Sequence, residues 1–213
     1  GEAEILVAGG VTDVLVTNEI VGAAKLDRLA RLAREARIGL CVDHIDGVRE
    51  ASEAAARHDV VLDVLVELDI GSRRCGVAPG EAAVRLAEAV ARSNTLRLSG
   101  VQAYHGSAQH MRSIDERREA IERAGLLTRN VVERIRQVGL PCEIVSGAGT
   151  GTFDLEGRSG IWNELQAGSY IFMDADYARN RNADGTPFQT FEHALFILAG
   201  VMGKPVPDRA IVD

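Results

Sequence analysis

Lysine is nearly missing from this chain. Of 24 basic residues only Lys25 and Lys204 are lysines, and the rest are arginine. The arginines are interleaved with Asp and Glu, and the formal net charge is -7. No basic block stands alone, so nucleic acid is not an expected partner. Aromatic residues are scarce too, at 4%. The core must therefore be built from Val, Leu, Ile and Ala, which suits a parallel α/β sheet better than a β-sandwich. The three cysteines, Cys41, Cys75 and Cys142, are odd in number and far apart. They form neither a disulfide framework nor a set with metal-ligand spacing, and reduced thiols are expected. No apolar run reaches about 18 residues and no stretch reads as a secretory leader, so no membrane partner is expected and the expected location is cytoplasmic.

What is present is an alternation. Apolar runs rich in Val and Ile predict strands over Val11–Thr17, Ile38–Asp43, Val61–Glu67, Leu98–Tyr104, Cys142–Ser146 and Tyr170–Asp174. Between them, Ala24–Ala36, Val48–His58, Pro79–Arg92 and Asp115–Val138 carry apolar residues at i, i+3, i+4 and i+7, as amphipathic helices do. Asn180–Gln189 is polar, contains Gly and Pro, and reads as a loop. Strands alternating with helices imply βαβ units and a parallel sheet, either open and doubly wound or closed as a barrel. Polar residues gather at the ends of nearly all the strands: Asn18, Asp43, Glu67, Arg74, Tyr104, Ser146 and Asp174. A barrel brings all such ends to one face, where its active site lies, whereas an open sheet needs them only at its switch point. The pattern therefore favours a (β/α)8 barrel.

Ser146-Gly147-Ala148-Gly149-Thr150-Gly151-Thr152 follows an apolar strand. Closely spaced glycines let the backbone approach a ligand, and successive N–H groups can then face an anion. Phosphates bind barrels at the loops after the seventh and eighth strands. One predicted strand follows this loop, which numbers the visible strands three to eight. The opening Gly-Glu-Ala-Glu reads as helix interior, in keeping with two preceding βα units outside these residues. The whole of residues 1–213 is thus expected to be a single barrel domain.

Four motifs occur in order: Gly71-Ser72-Arg73-Arg74-Cys75-Gly76-Val77; Gln102-Ala103-Tyr104-His105-Gly106 with Gln109-His110; Gly147-Ala148-Gly149-Thr150-Gly151-Thr152; and Met173-Asp174-Ala175-Asp176-Tyr177. Together they resemble the D-threonine aldolase and 3-hydroxy-D-aspartate aldolase family, of the alanine-racemase-like fold. The resemblance implies a pyridoxal 5'-phosphate (PLP)-binding TIM-like barrel followed by a β-rich domain. It implies retro-aldol cleavage of a D-3-hydroxy amino acid to glycine and an aldehyde, and often a homodimer. It also implies a divalent metal (Mg, Mn or Zn) whose ligands lie in the β-rich domain, so no metal ligand is assigned here. The family's cofactor lysine ends the first strand. Neither Lys25, at a helix start, nor Lys204, in a Gly-Lys-Pro context, matches it, and these residues alone are not expected to be active.

The resemblance also suggests roles. Arg74 would face the pyridine nitrogen, where an always-charged guanidinium disfavours protonation. Tyr104 would lie beside the cofactor, and His110 would be the base for the substrate hydroxyl, a proton an imidazole can take near neutral pH. Gly149, Thr150, Gly151 and Thr152 would hold the phosphate, with Ser169 and Tyr170 completing the pocket. Asp174 and Asp176 alternate along the last predicted strand and are read as structural, as are His44, His58 and His193. Three rival functions remain: a dehydratase of the same family, a non-catalytic PLP- or phosphate-binding barrel fragment, and a phosphate-sugar enzyme on the same barrel, which would need different acid–base residues.

Overall fold

The computed structural model describes residues 1–213. Helix α1 (Glu2–Ala8) precedes five strand–helix units: β1 (Asp13–Glu19) with α2 (Ala23–Leu32), β2 (Arg37–Val42) with α3 (Ile45–His58), β3 (Leu62–Glu67) with α4 (Glu81–Ala91), β4 (Leu96–Ala103) with α5 (Ile114–Gln137), and β5 (Ile144–Gly147) with α6 (Phe153–Arg158). A two-residue strand β6 (Glu164–Leu165) follows, and a hairpin of β7 (Val201–Val206) and β8 (Arg209–Val212) ends the chain. No helix is long and apolar enough to cross a membrane.

All neighbouring strands from β1 to β6 are parallel, and their order in the sheet is their order in the sequence. A doubly wound sheet reverses direction at a switch point, and this one never does. Sequential winding is the barrel pattern, and the six strands form part of a TIM-like barrel.

Residues alternate across each strand. On β3, Leu62, Val64 and Val66 join the apolar layer shared with the helices, where they meet Ala51, Ala54 and Ala55 of α3 and Ala83, Ala87 and Val90 of α4. Asp63, Leu65 and Glu67 point the other way, into the barrel. All six are buried, which is why the run reads as almost continuously apolar. Small alanines on the helix faces let helix and sheet approach closely. Helix α5 is framed by Ser113, whose hydroxyl accepts from the Asp115 amide at 3.2 Å, by Asp115 and Glu116 in its first turn, and by Arg134 and Arg136 in its last.

The barrel floor holds one buried carboxylate. Asp63 accepts hydrogen bonds from both Arg37 and Arg97. Burial alone would raise its pKa, but the two guanidinium groups outweigh it and hold the carboxyl below its usual value. Higher up, β4 meets β5 so closely at Gly100 that a Cβ there would lie 1.9 Å from the Ile144 carbonyl oxygen, and Gly100 has φ 156. The β3–β4 register shifts just there, between Val64 and Leu65.

The last predicted strand is a correction. Tyr170–Asp174 is not extended. Ser169–Ile171 forms a 3-10 turn, and Met173 has φ 54. Asp174 accepts from the amides of Asp176 (2.9 Å) and Tyr177 (2.8 Å), a side-chain turn that competes with strand pairing. The sixth strand lies earlier, at Glu164–Leu165, where two residues pair with Ser146 and Gly147. The hairpin β7–β8 has no counterpart in the sequence reading. Its residues are largely exposed, so burial leaves no periodic mark on them.

Candidate active site

The loop after β3 is shaped by Asp69, whose side chain accepts from the amides of Gly71 (3.1 Å) and Arg73 (3.0 Å). Ser72 then splices this loop to the end of β4. Its hydroxyl donates to the Tyr104 carbonyl at 3.1 Å and accepts from the Gly106 amide at 2.6 Å. The result sets the Arg74 guanidinium over the Tyr104 ring, 5.6 Å from its centroid. Tyr104 is half-buried, and burial raises its pKa against the opposing pull of Arg74.

Tyr104 also borders the glycine loop. A Cβ on Gly149 would lie 3.0 Å from its hydroxyl oxygen. Ala148 sits in the left-handed region at φ 64 and turns the chain sharply. The amides of Ala148, Gly149 and Thr150 lie outside any helix or strand and donate to no protein group. Ala148 and Thr150 are buried. Consecutive unpartnered amides form a nest suited to an anion.

Of the four loop residues expected to face the phosphate, Gly149 and Thr150 keep their amides free and the other two turn inward. Gly151 donates its amide to Gln109 Oε1 at 2.9 Å, and Thr152 is fully buried beneath the loop. Neither offers a donor outward. The Thr150 hydroxyl accepts from the Tyr170 amide at 3.1 Å, which fixes Tyr170, and Ser169 next to it in the chain, beside the loop. The Tyr170 ring turns away to Phe191, at 5.2 Å.

His110 stands on the 3-10 turn Gly106–His110 and is half-exposed. Its Nδ1 lies 2.6 Å from Asp176 Oδ2. Arg112 grips the same residue, with 2.5 Å to Asp176 Oδ1 and 2.8 Å to its carbonyl. Arg112 first, and His110 second, hold the Asp176 carboxyl below its usual pKa. The Tyr177 ring lies 5.2 Å from the imidazole. Asp174 and Asp176 do not share a strand face. Asp174 makes the turn that delivers Asp176 to His110.

A third group lines the barrel mouth. Burial first, then the neighbouring Glu19 carboxyl, push Glu67 up to about 8. Gln102 donates to Glu67 at 3.3 Å and to the Thr17 carbonyl at 2.9 Å, and Gln166 bridges Gln102 (2.6 Å) and Ser146 (2.7 Å). Donor atoms of Glu19, Asp43 and Cys75 lie within 4.8 Å of one another. Contact with Glu19 first, and then burial, raise the Cys75 thiol to about 11.

The structure thus gathers Arg74, Tyr104, Gly149, Thr150, Ser169 and Tyr170 around one loop, with His110 on the adjoining turn. Gln109, Arg112, Tyr177, Glu19 and Gln166 were missed as site residues. Gln109 and Tyr177 lie within the sequence motifs and Glu19 ends a strand, whereas Arg112 and Gln166 carry no such signal. The two lysines make no contact with the cluster: Lys25 is on α2 and Lys204 on β7. His44 caps α3 by accepting from the Asp46 amide (3.3 Å), and His58, in the last turn of α3, lies 3.4 Å from Asp27, in keeping with structural roles.

The arrangement has known counterparts. Residues 1–176 match the family model described as alanine racemase, N-terminal domain. Over its full length the chain is 45% identical to a 3-hydroxy-D-aspartate aldolase of Paracoccus denitrificans (strain Pd 1222), of which it covers 56%. It is 29% identical to a D-threo-3-hydroxyaspartate dehydratase of Delftia sp. (strain HT23), covering 55% of that protein. The crystal structure of D-threonine aldolase from Filomicrobium marinum superposes on all of the chain with a TM-score of 0.91 at 52% identity, and 56% of that structure is covered. The chain spans a little over half the length of these relatives.

Proposed function

The chain belongs to the alanine racemase N-terminal domain family, and from that premise we propose that it forms the PLP-binding barrel of a carbon–carbon lyase that cleaves D-3-hydroxy amino acids to glycine and an aldehyde. The observation that carries this reading is the placing of His110, paired with Asp176, on the turn next to the Arg74–Tyr104–glycine-loop cluster.

The residues fit PLP on their own geometry. The unpartnered amides of Ala148, Gly149 and Thr150 suit its phosphate, and the half-buried Tyr104 provides an apolar face beside them. Arg74, above that ring, is a fixed positive charge that a pyridine nitrogen would meet unprotonated. When bound, PLP supplies an electron sink for breaking the Cα–Cβ bond. The protein's part is proton transfer and orientation. Asp176 accepts from His110 Nδ1–H, which leaves Nε2 as the free acceptor for the substrate hydroxyl proton. Arg112 holds Asp176 in place for that task.

A divalent metal is the second group the resemblance implies. The converging set Glu19, Asp43 and Cys75 joins the ends of β1 and β2 to the Arg74 loop, it includes no residue of the His110 turn, and Asp43 is already engaged by the Gly76 amide at 3.0 Å. That set does not fit a metal acting on a hydroxyl at His110. A homodimer in the cytoplasm remains part of the proposal.

Identity favours the aldolases over the dehydratase, 45% and 52% against 29%. Product analysis of the full-length protein decides. Glycine with glyoxylate from D-threo-3-hydroxyaspartate, or with acetaldehyde from D-threonine, supports the lyase. Oxaloacetate and ammonia from the former would move the protein to the dehydratases.

A further inference from the structure

Gln109 is wholly buried, yet its side-chain amide and its carbonyl are all engaged. Its Nε2 donates to Thr152 Oγ1 at 2.7 Å and to the His105 carbonyl at 3.2 Å. Its Oε1 accepts from the Gly151 amide at 2.9 Å, and its carbonyl accepts from Asn180 Nδ2, also at 2.9 Å. One side chain therefore ties the turn after β4 to the glycine loop, and its backbone ties both to the segment that carries Asp176.

The glycines record the same contact. A Cβ on Gly149 would lie 2.5 Å from Gln109 Oε1, and one on Gly151 would lie 2.4 Å from the Gln109 carbonyl oxygen. Gly149 and Gly151 are thus required by Gln109 behind the loop, while the amides of Ala148, Gly149 and Thr150 are left for a ligand in front. By taking the Gly151 amide, Gln109 ends the nest at three donors and fixes its direction.

Glu156 braces this arrangement from below. Thr152 Oγ1 accepts from Gln109 and donates to Glu156 Oε1 at 3.0 Å, while Glu156 Oε2 is buried without a partner. Burial pushes Glu156 up to about 8. A neutral acid there puts no negative charge behind an anion site.

We propose that Gln109, propped by Thr152 and Glu156, is the positioning residue that aims the glycine-loop amides at the phosphate of PLP. This rests on the reading of that loop as the phosphate site. The structure lends it a probe: Trp162 donates Nε1–H to the Ala103 carbonyl at 2.9 Å and packs against Gly147.

The test titrates full-length protein, stripped of cofactor, with PLP and with pyridoxal, which lacks the phosphate. Binding is followed by quenching of tryptophan emission. Wild type is expected to prefer PLP by about a hundredfold or more, as several charge-assisted hydrogen bonds require. Gln109→Leu should cut that preference about tenfold or more while the pyridoxal Kd moves less than about threefold. Unchanged preference, or equal weakening for both ligands, overturns the assignment. A wild type without preference overturns the phosphate site itself, and so fails differently. Should Gln109→Leu not fold, Thr152→Val keeps the shape but removes the acceptor of Gln109. It is expected to lower the preference about threefold to tenfold, and an unaltered preference in that variant also sinks the idea.

Discussion

Asp176 Oδ2 sits 2.6 Å from His110 Nδ1, joining residues 66 positions apart. The bond fixes the imidazole tautomer as well as its direction, because Nδ1 must carry the proton that Asp176 accepts. Asp176→Asn can donate its amide to Nδ1 instead, which moves the proton to Nε2 and removes the acceptor. In the full-length enzyme, kcat/KM should fall about 10- to 100-fold with KM little changed. His110→Ala should lose about 100-fold or more. An Asp176→Asn enzyme with a wild-type pH profile and rate would show that the pair does not serve the chemistry.

Two buried acids set a pH dependence of stability. Glu67 and Glu156 are each raised to about 8, against an ordinary 4.5. Between those values the folded protein keeps protons that the unfolded chain releases, so the stability these two acids contribute is fully present below about pH 4.5 and is lost as pH rises through about 8. Glu156→Gln cannot titrate. Melting temperatures measured from pH 5 to pH 9 should fall less steeply for this variant than for wild type. An identical slope would mean that Glu156 is ionised in the folded state.

On the barrel floor, Asp63→Asn would leave Arg37 and Arg97 facing one another without a carboxylate. Asp63 is 5% exposed, whereas the arginine side chains are 46% and 58% exposed. Solvent screening therefore discounts the full cost of a broken buried pair to about 2–3 kcal/mol. Denaturant unfolding should report that loss, and raised salt should shrink it. Activity is expected to follow stability only, since the group lies at the opposite end of the barrel from the cluster.

Gly100→Ala should be more severe than its size suggests. A methyl group 1.9 Å from the Ile144 carbonyl cannot be accommodated without parting β4 from β5, and Gln102 and Ser146 sit just above that contact. The expected result is loss of soluble protein, or a cost above about 3 kcal/mol. A soluble variant with wild-type stability would show that the two strands can separate there freely.

Five of the six barrel strands and helices α2 to α5 were legible in the amino-acid order, within a few residues at each end. Burial on both faces produces apolar runs such as Leu62–Glu67, and one-sided burial produces the stripe of Ile114–Gln137. These are local consequences of local patterns. The glycine loop and Arg74 were legible as motifs for a related reason, since close backbone approach and strand-end charge leave their mark within a few residues. Tyr170–Asp174 was misread because its apolar side chains resemble a strand, while the Asp174 turn that prevents pairing depends on a side-chain hydrogen bond.

By itself the sequence determined the βα rhythm, the face on which polar strand ends collect, and the glycine loop as a place where backbone approaches a ligand. Only the tertiary structure decided which amides of that loop stay free, because that depends on Gln109, 42 residues away from Gly151. It also decided that Asp176 serves His110 rather than a strand face. Hydrogen bonds between distant segments obey no sequence period, so they become visible only once the barrel has brought the loops together.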